Sequence, residues 1–170
     1  DESENDLREF LTYFLAAIRN LFPSKNQRTQ SLLQAATMPP AKDLCRYLLN
    51  DLEHVEKSFI LVLDDYHKIS ATGVHEFVDF LLRRPPRGLH TVIITRRDPA
   101  LSLQSLRASG TLAEIRMQQL AFNEPEAFEF MREKLGDRIA EAEISRLHER
   151  TEGWPVGLRL AVLAVPKSLS

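Results

Sequence analysis

The sequence predicts an α/β fold: a parallel sheet with flanking helices, followed by a small helical subdomain. Three observations carry this reading. Phe59–Leu63 and residues 90–95 are short apolar or β-branched runs, which suit strands. The amphipathic stretch 74–82 lies between them, and strand, helix, strand in that order makes a parallel crossover unit. From Asn123 onward every periodic segment is helical.

At 170 residues, with 44% hydrophobic and 27% charged residues, the chain has the make-up of one globular domain with a small appendage. Lys plus Arg number 22 against 24 for Asp plus Glu, a net charge of −2. That balance argues against gripping nucleic acid or an anionic membrane by bulk electrostatics. The single cysteine, Cys45, permits no disulfide within the chain and suits a reducing cytoplasm. The longest apolar runs are five or six residues, too short for a membrane span or a signal peptide. The chain opens on "DESEND" without a methionine and passes at once into a periodic segment, so it reads as a piece of a longer protein.

Leu7, Phe10, Leu11, Phe14, Leu15, Ile18, Leu21 and Phe22 recur at helical spacing, and the acids before them favour the positive end of that helix dipole. A polar stretch, 23–28, ends the helix. After Pro39 and Pro40 a second long helix carries Leu44, Cys45, Leu48, Leu52 and Val55 on one face. "FILVL" follows, a continuous apolar run of the kind that suits a strand covered on both faces. Val74, Phe77, Val78, Leu81 and Leu82 mark the crossover helix, which "RRPPRG" stops. "HTVIIT" is the second strand, a short helix spans 101–108, and "LAEIRM", 112–117, reads as a third strand. Helices at 126–135, 141–151 and 154–165 complete the chain. The shift in composition puts a subdomain boundary near Phe122, dividing residues 1–121 from 122–170.

The first strand leads straight into Asp64 and Asp65. Adjacent carboxylates repel each other unless something positive sits nearby, and hard oxygen donors suit hydrated Mg²⁺. Ligands of open parallel sheets bind beyond the carboxyl ends of the strands, and there the next strand ends in Thr95, Arg96 and Arg97. Carboxylates for a metal and a guanidinium for a phosphate form part of a nucleoside triphosphate site. The plainer alternative is that the acids cap the following helix while Arg96 pairs with them. A phosphate cradle is missing, since none of Gly73, Gly88, Gly110, Gly136, Gly153 and Gly157 opens a G-x-x-x-x-G-K-[ST] loop. Either the protein binds no nucleotide or the cradle lies before Asp1, and the chain alone is not expected to hydrolyse ATP.

"FILVLDDYHKI", "VIITRRDPALSLQSLRASG", "EIRMQQLAFNEPEA" and "RTEGWPVGLRLA" follow one another in this order. With them the chain resembles the MalT-like, large LuxR-type transcription regulators, which belong to the signal-transduction ATPases with numerous domains (STAND). The likeness runs over nearly the whole chain to Val165. It implies the C-terminal part of an ASCE-type P-loop NTPase core over 1–121 and a helical subdomain with a G-x-P element over 122–170. It implies Asp64 as the Walker B acid that holds Mg²⁺, usually through water, and Asp65 as the adjacent acid that orients the hydrolytic water. Arg96 matches the arginine that senses the γ-phosphate. Gly153 and Pro155 match the G-x-P element, whose proline packs near adenine. A rigid, apolar residue without a donor suits that place, and it equally suits the first turn of a helix. Arg97 falls at a variable position and receives no site role, and Arg107 is read as structural.

The implied cofactors are ATP/ADP and Mg²⁺, in the parent protein. The implied function is a regulatory switch in a cytoplasmic bacterial regulator, closed with ADP and open and self-associating with ATP, with slow hydrolysis as the reset. DNA is a partner only through a C-terminal helix-turn-helix, and a small-molecule or protein inducer only through a repeat domain; neither segment is in this chain. No membrane contact is implied. The alternatives are a nucleotide-independent interaction scaffold and the same ATPase core joined to a non-transcriptional effector. In such a core the P-loop strand lies between the strands at 91–95 and 113–117, so open edges are expected to close within the chain or to pair with another copy.

The remaining polar residues have plainer readings. His54, His67, His75, His90 and His148 show no metal-ligand spacing with cysteine. His67 reads as packing or loop, and Arg83, Arg84 and Arg87 as a solvated turn. Trp154 reads as core, and Phe10, Phe14 and Phe22 as packing.

Overall fold

The computed structural model describes residues 6–23, 27–53, 55 and 57–165. The first five residues, positions 24–26 of the polar stretch that ends the first helix, and His54 lie outside the described residues. Two compact units divide the chain, Asp1–Leu112 and Ala113–Ser170.

In the first unit α1 (Leu7–Leu21), α2 (Gln27–Leu33) and α3 (Ala41–Leu52) precede β1 (Phe59–Leu63). A 3₁₀ turn (Tyr66–Lys68), α4 (Thr72–Arg83), β2 (Leu89–Ile93) and α5 (Leu103–Ala108) follow. The Asp6 carboxylate starts α1 by accepting the amides of Arg8 at 2.8 Å and Glu9 at 3.1 Å, which would otherwise lack partners. The apolar stripe of α1 then buries Phe10, Leu11, Phe14, Leu15 and Ile18. Phe77 of α4 packs on the rings of Phe10 and Phe14, with centroids 6.3 and 5.4 Å apart. Burying one such ring contributes about 1.5–3 kcal/mol.

Helix α2 has no apolar stripe to announce it. It is held from outside: buried Thr29 donates its N–H at 3.2 Å and its hydroxyl at 2.8 Å to Asp51 on α3.

The two strands pair in parallel with Leu61 opposite Thr91 and Leu63 opposite Ile93. The expected α/β class is thus present as a parallel two-stranded sheet with flanking helices. Two details differ from expectation. Among the described residues the sheet is covered on one face only. Phe59, Leu61 and Leu89 join the buried cluster, whereas Ile60, Val62, Val92 and Ile94 are 62, 53, 43 and 50% exposed. A continuous apolar run states that both faces are apolar, not that both have a covering element.

The third strand does not form. Residues 112–116 are irregular, and Met117–Leu120 is a helical turn, α6. A strand exists only through a ladder with a neighbour. Here the Arg116 amide goes instead to the Gln119 side chain at 2.7 Å, and the Arg116 carbonyl accepts the Gln119 amide at 2.9 Å. Among the described residues, therefore, the edge of β2 away from β1 carries no strand and nothing closes the gap.

In the second unit α6 is followed by α7 (Glu124–Leu135), α8 (Glu141–Thr151) and α9 (Pro155–Ala164). Asn123 and Glu126 cap α7 reciprocally, each side chain accepting the other's amide at 2.9 Å. Ala127, Met131, Leu135, Ile139, Ile144 and Leu158 form the core. Trp154 is not part of it. At 42% exposure it sits just before α9, because the buried stripe of that helix begins only at Leu158. Among the described residues no helix is long and apolar enough to cross a membrane.

Candidate functional site

Past Leu63 the chain leaves the sheet in a tight turn tied to the neighbouring strand. The Leu63 carbonyl accepts the Ile94 amide at 2.9 Å, and the Tyr66 amide donates to the Ile94 carbonyl at 3.0 Å. Between these bonds Asp65 takes a left-handed conformation, φ 52° and ψ 30°. For a residue with a side chain that costs about 1–2 kcal/mol. The Asp64 carboxylate accepts the Asp65 amide at 2.7 Å through one oxygen and stays exposed.

Asp65 is the N-cap residue of the 3₁₀ turn but its side chain makes no cap hydrogen bond, and the N-cap of α4 is Ala71. Asp65 is matched by Lys68, Nζ to carboxylate at 2.6 Å, with Nδ1 of His67 at 3.9 Å. The Lys68 hydrogen bond holds the Asp65 carboxyl below its ordinary range. Desolvation opposes this, and the charges of Lys68, His67 and Arg96 assist it. That His67 nitrogen is buried without a hydrogen-bond partner among the described residues. Arg96 is exposed and contributes its field alone, with no hydrogen bond or ion pair among the described residues. Arg97, which received no site role, joins the two strand-end turns by donating to the His67 carbonyl at 2.9 Å.

Behind this turn, Asp79 of α4 accepts the Ser102 amide at 2.7 Å and its hydroxyl at 3.2 Å, and Arg83 donates to the same carboxylate. The segment that carries Arg96 is thereby fastened to α4. Lys68 had a signal in the sequence, its spacing three residues after Asp65. The i,i+4 spacing of Asp79 and Arg83 was likewise a signal, whereas the Arg97–His67 and Asp79–Ser102 contacts had none, since their partners lie 30 and 23 residues away.

Asp64, Asp65 and Arg96 therefore all lie past the carboxyl ends of the two parallel strands, the side on which ligands of open parallel sheets bind. The second oxygen of Asp64 is free of described partners, and a hard carboxylate oxygen fits Mg²⁺, which binds through few protein ligands. Among the described residues no group of three or more His, Cys, Asp or Glu is placed to hold a metal.

Gly153 and Pro155 lie in the second unit. Gly153 is buried with φ +70°, and its backbone is spent internally. It donates to the His148 carbonyl at 3.1 Å and accepts the Phe122 amide at 2.8 Å, while His148 Nε2 bonds the Phe122 carbonyl at 2.9 Å. Pro155 is the first residue of α9 and half-buried.

No family model matches the chain. Over 164 residues, 96% of its length, it is 35% identical to the HTH-type transcriptional regulator MalT of Yersinia pestis and of Yersinia pseudotuberculosis. It is 34% identical to that of Yersinia enterocolitica over the same span. The chain is a MalT-like segment. It spans 18% of the length of those regulators. Within this MalT-like segment the acidic turn and Arg96 belong to one compact unit and the G-x-P element to the other.

Proposed function

We propose that the chain is part of the ATP/ADP-binding regulatory switch of a cytoplasmic LuxR-type transcriptional regulator, and that it governs self-association and DNA binding of the parent protein. The observation that carries this is exposed Asp64 and half-buried Asp65 at the strand ends, with an exposed arginine that has no partner among the described residues, in a chain 35% identical to MalT regulators over 96% of its length. Asp64 holds Mg²⁺, which when bound neutralises phosphate charge. Asp65 orients the attacking water, and Arg96 meets the γ-phosphate. Pro155 packs near adenine, and Gly153 shapes the turn that presents it. DNA and inducer are contacted by other parts of the parent.

A nucleotide-independent scaffold is the second reading. The Lys68–Asp65 pair favours it, because it already neutralises the acid without any ligand.

Calorimetric titration of ATP and ADP with Mg²⁺ into the full-length parent separates the two. Asp64→Ala is expected to weaken Mg²⁺-nucleotide binding, and Arg96→Ala to remove the preference for ATP over ADP. Binding and activation untouched by either substitution would leave the scaffold as the better account.

A further inference from the structure

We infer that Tyr66 and His75 are positioning residues whose hydrogen bond holds Asp64 and Asp65 beyond the strand end. The consequence for ATP rests on the nucleotide reading above; the geometry does not.

Within the turn 64–68 Tyr66 is the one buried residue, at 2% exposure. Its neighbours in the turn are exposed or half-buried; the Lys68 amide donates to the Asp65 carbonyl at 2.9 Å, and an exposed pair such as the Lys68–Asp65 side chains fixes a backbone weakly. Yet Asp65 keeps a left-handed conformation, which persists only where the surroundings over-determine it. Tyr66 supplies that determination from three sides. Its amide bonds the Ile94 carbonyl at 3.0 Å, and its own carbonyl accepts the Ile69 amide at 3.0 Å. Its hydroxyl lies 2.9 Å from Nδ1 of His75, with the two rings edge to face and their centroids 5.5 Å apart.

His75 stands in the first turn of α4, and a hydrogen bond with the Ile69 backbone holds it from a second direction. A buried hydroxyl requires a partner, and here the partner belongs to the helix that follows the acidic turn. Tyr66 therefore ties the acids to the rigid part of the unit, and His75 completes the tie.

Amide hydrogen exchange on this chain tests the inference with Tyr66→Phe, His75→Leu and His75→Gln. The phenylalanine keeps the ring and removes the hydroxyl; the glutamine keeps an acceptor. Tyr66→Phe and His75→Leu are expected to speed exchange of the Tyr66 amide about tenfold, the loss of one hydrogen bond from a local opening. The amides of Leu81 and Leu15 are expected to hold their rates, and His75→Gln to restore the Tyr66 amide. Equal acceleration of all three amides, or a glutamine no better than leucine, would overturn the inference in favour of a purely global stabilising role. In the parent protein Tyr66→Phe and His75→Leu are expected to lower kcat for ATP hydrolysis and to weaken Mg²⁺-ATP binding, though less than Asp64→Ala does, and His75→Gln to restore both. A wild-type parent that binds no nucleotide would defeat the nucleotide reading and leave the exchange result to decide the positioning.

Discussion

Gly153 packs so closely on Phe122 that a Cβ at position 153 would stand 2.1 Å from the Phe122 carbonyl oxygen. The obstacle is backbone, which no side-chain rotation relieves, and the φ of +70° excludes most other residues independently. Gly153→Ala is therefore expected to destabilise the second unit by about 3 kcal/mol, combining left-handed strain with overpacking. Trp154, the single tryptophan, adjoins the site and reports the loss in a fluorescence-detected urea titration.

Removing the ammonium beside Asp65 isolates the first cause of its depressed pKa. Lys68→Met is expected to bring the Asp65 carboxyl back up towards 3.8. A ¹³C carboxyl titration by NMR reads this directly, and an unmoved titration would assign the depression to His67 and Arg96 instead.

The pH profile of stability is expected to fall at both ends. Burial lowers the His75 pKa from 6.5, so the unfolded chain binds the extra proton. Stability from this group is complete above about pH 6.5 and is lost as pH falls through the folded value. The loss from Asp65 comes later, below its ordinary 3.8. On the alkaline side burial pushes the Cys45 thiol from 9.0 up to about 12, so stability is full below pH 9 and is lost as pH rises towards 12. Urea midpoints at pH 7.5, 5.5 and 10.5 test both signs.

Asp79→Ala removes the acceptor for the Ser102 amide and hydroxyl and for Arg83. A cost of about 1–2 kcal/mol is expected, as for charged hydrogen bonds that are partly exposed. Faster hydrogen exchange in residues 96–102 should accompany it.

An open strand edge beside exposed Ile60, Val62, Val92 and Ile94 is a surface prone to pairing. The isolated chain is expected to associate as its concentration rises, and Val62→Lys to reduce that association in sedimentation velocity. A wild-type chain that stays monomeric across the range would remove the sheet face as a cause.

The stripes Phe10–Leu11–Phe14–Leu15–Ile18 and Val74–Phe77–Val78–Leu81 marked α1 and α4, because helical hydrogen bonds close within one segment. The two parallel strands and the acids at the end of the first were equally legible, as was the helical character of the second unit. Helix α2 was not, since the Thr29–Asp51 bonds that hold it span 22 residues. The strand expected at 112–117 failed for the complementary reason: its apolar alternation was present and its ladder partner was not.

By itself, then, the sequence determined the helical periods, the parallel strand pair and which residues could bear charge at its end. Tertiary structure alone decided that Lys68 answers Asp65, that Gly153 is required by Phe122, and that among the described residues one face of the sheet is bare and Arg96 has no partner. Periodicity and capping act over a few residues of one segment, whereas coverage, ion pairing and close approach depend on which distant segments folding brings together.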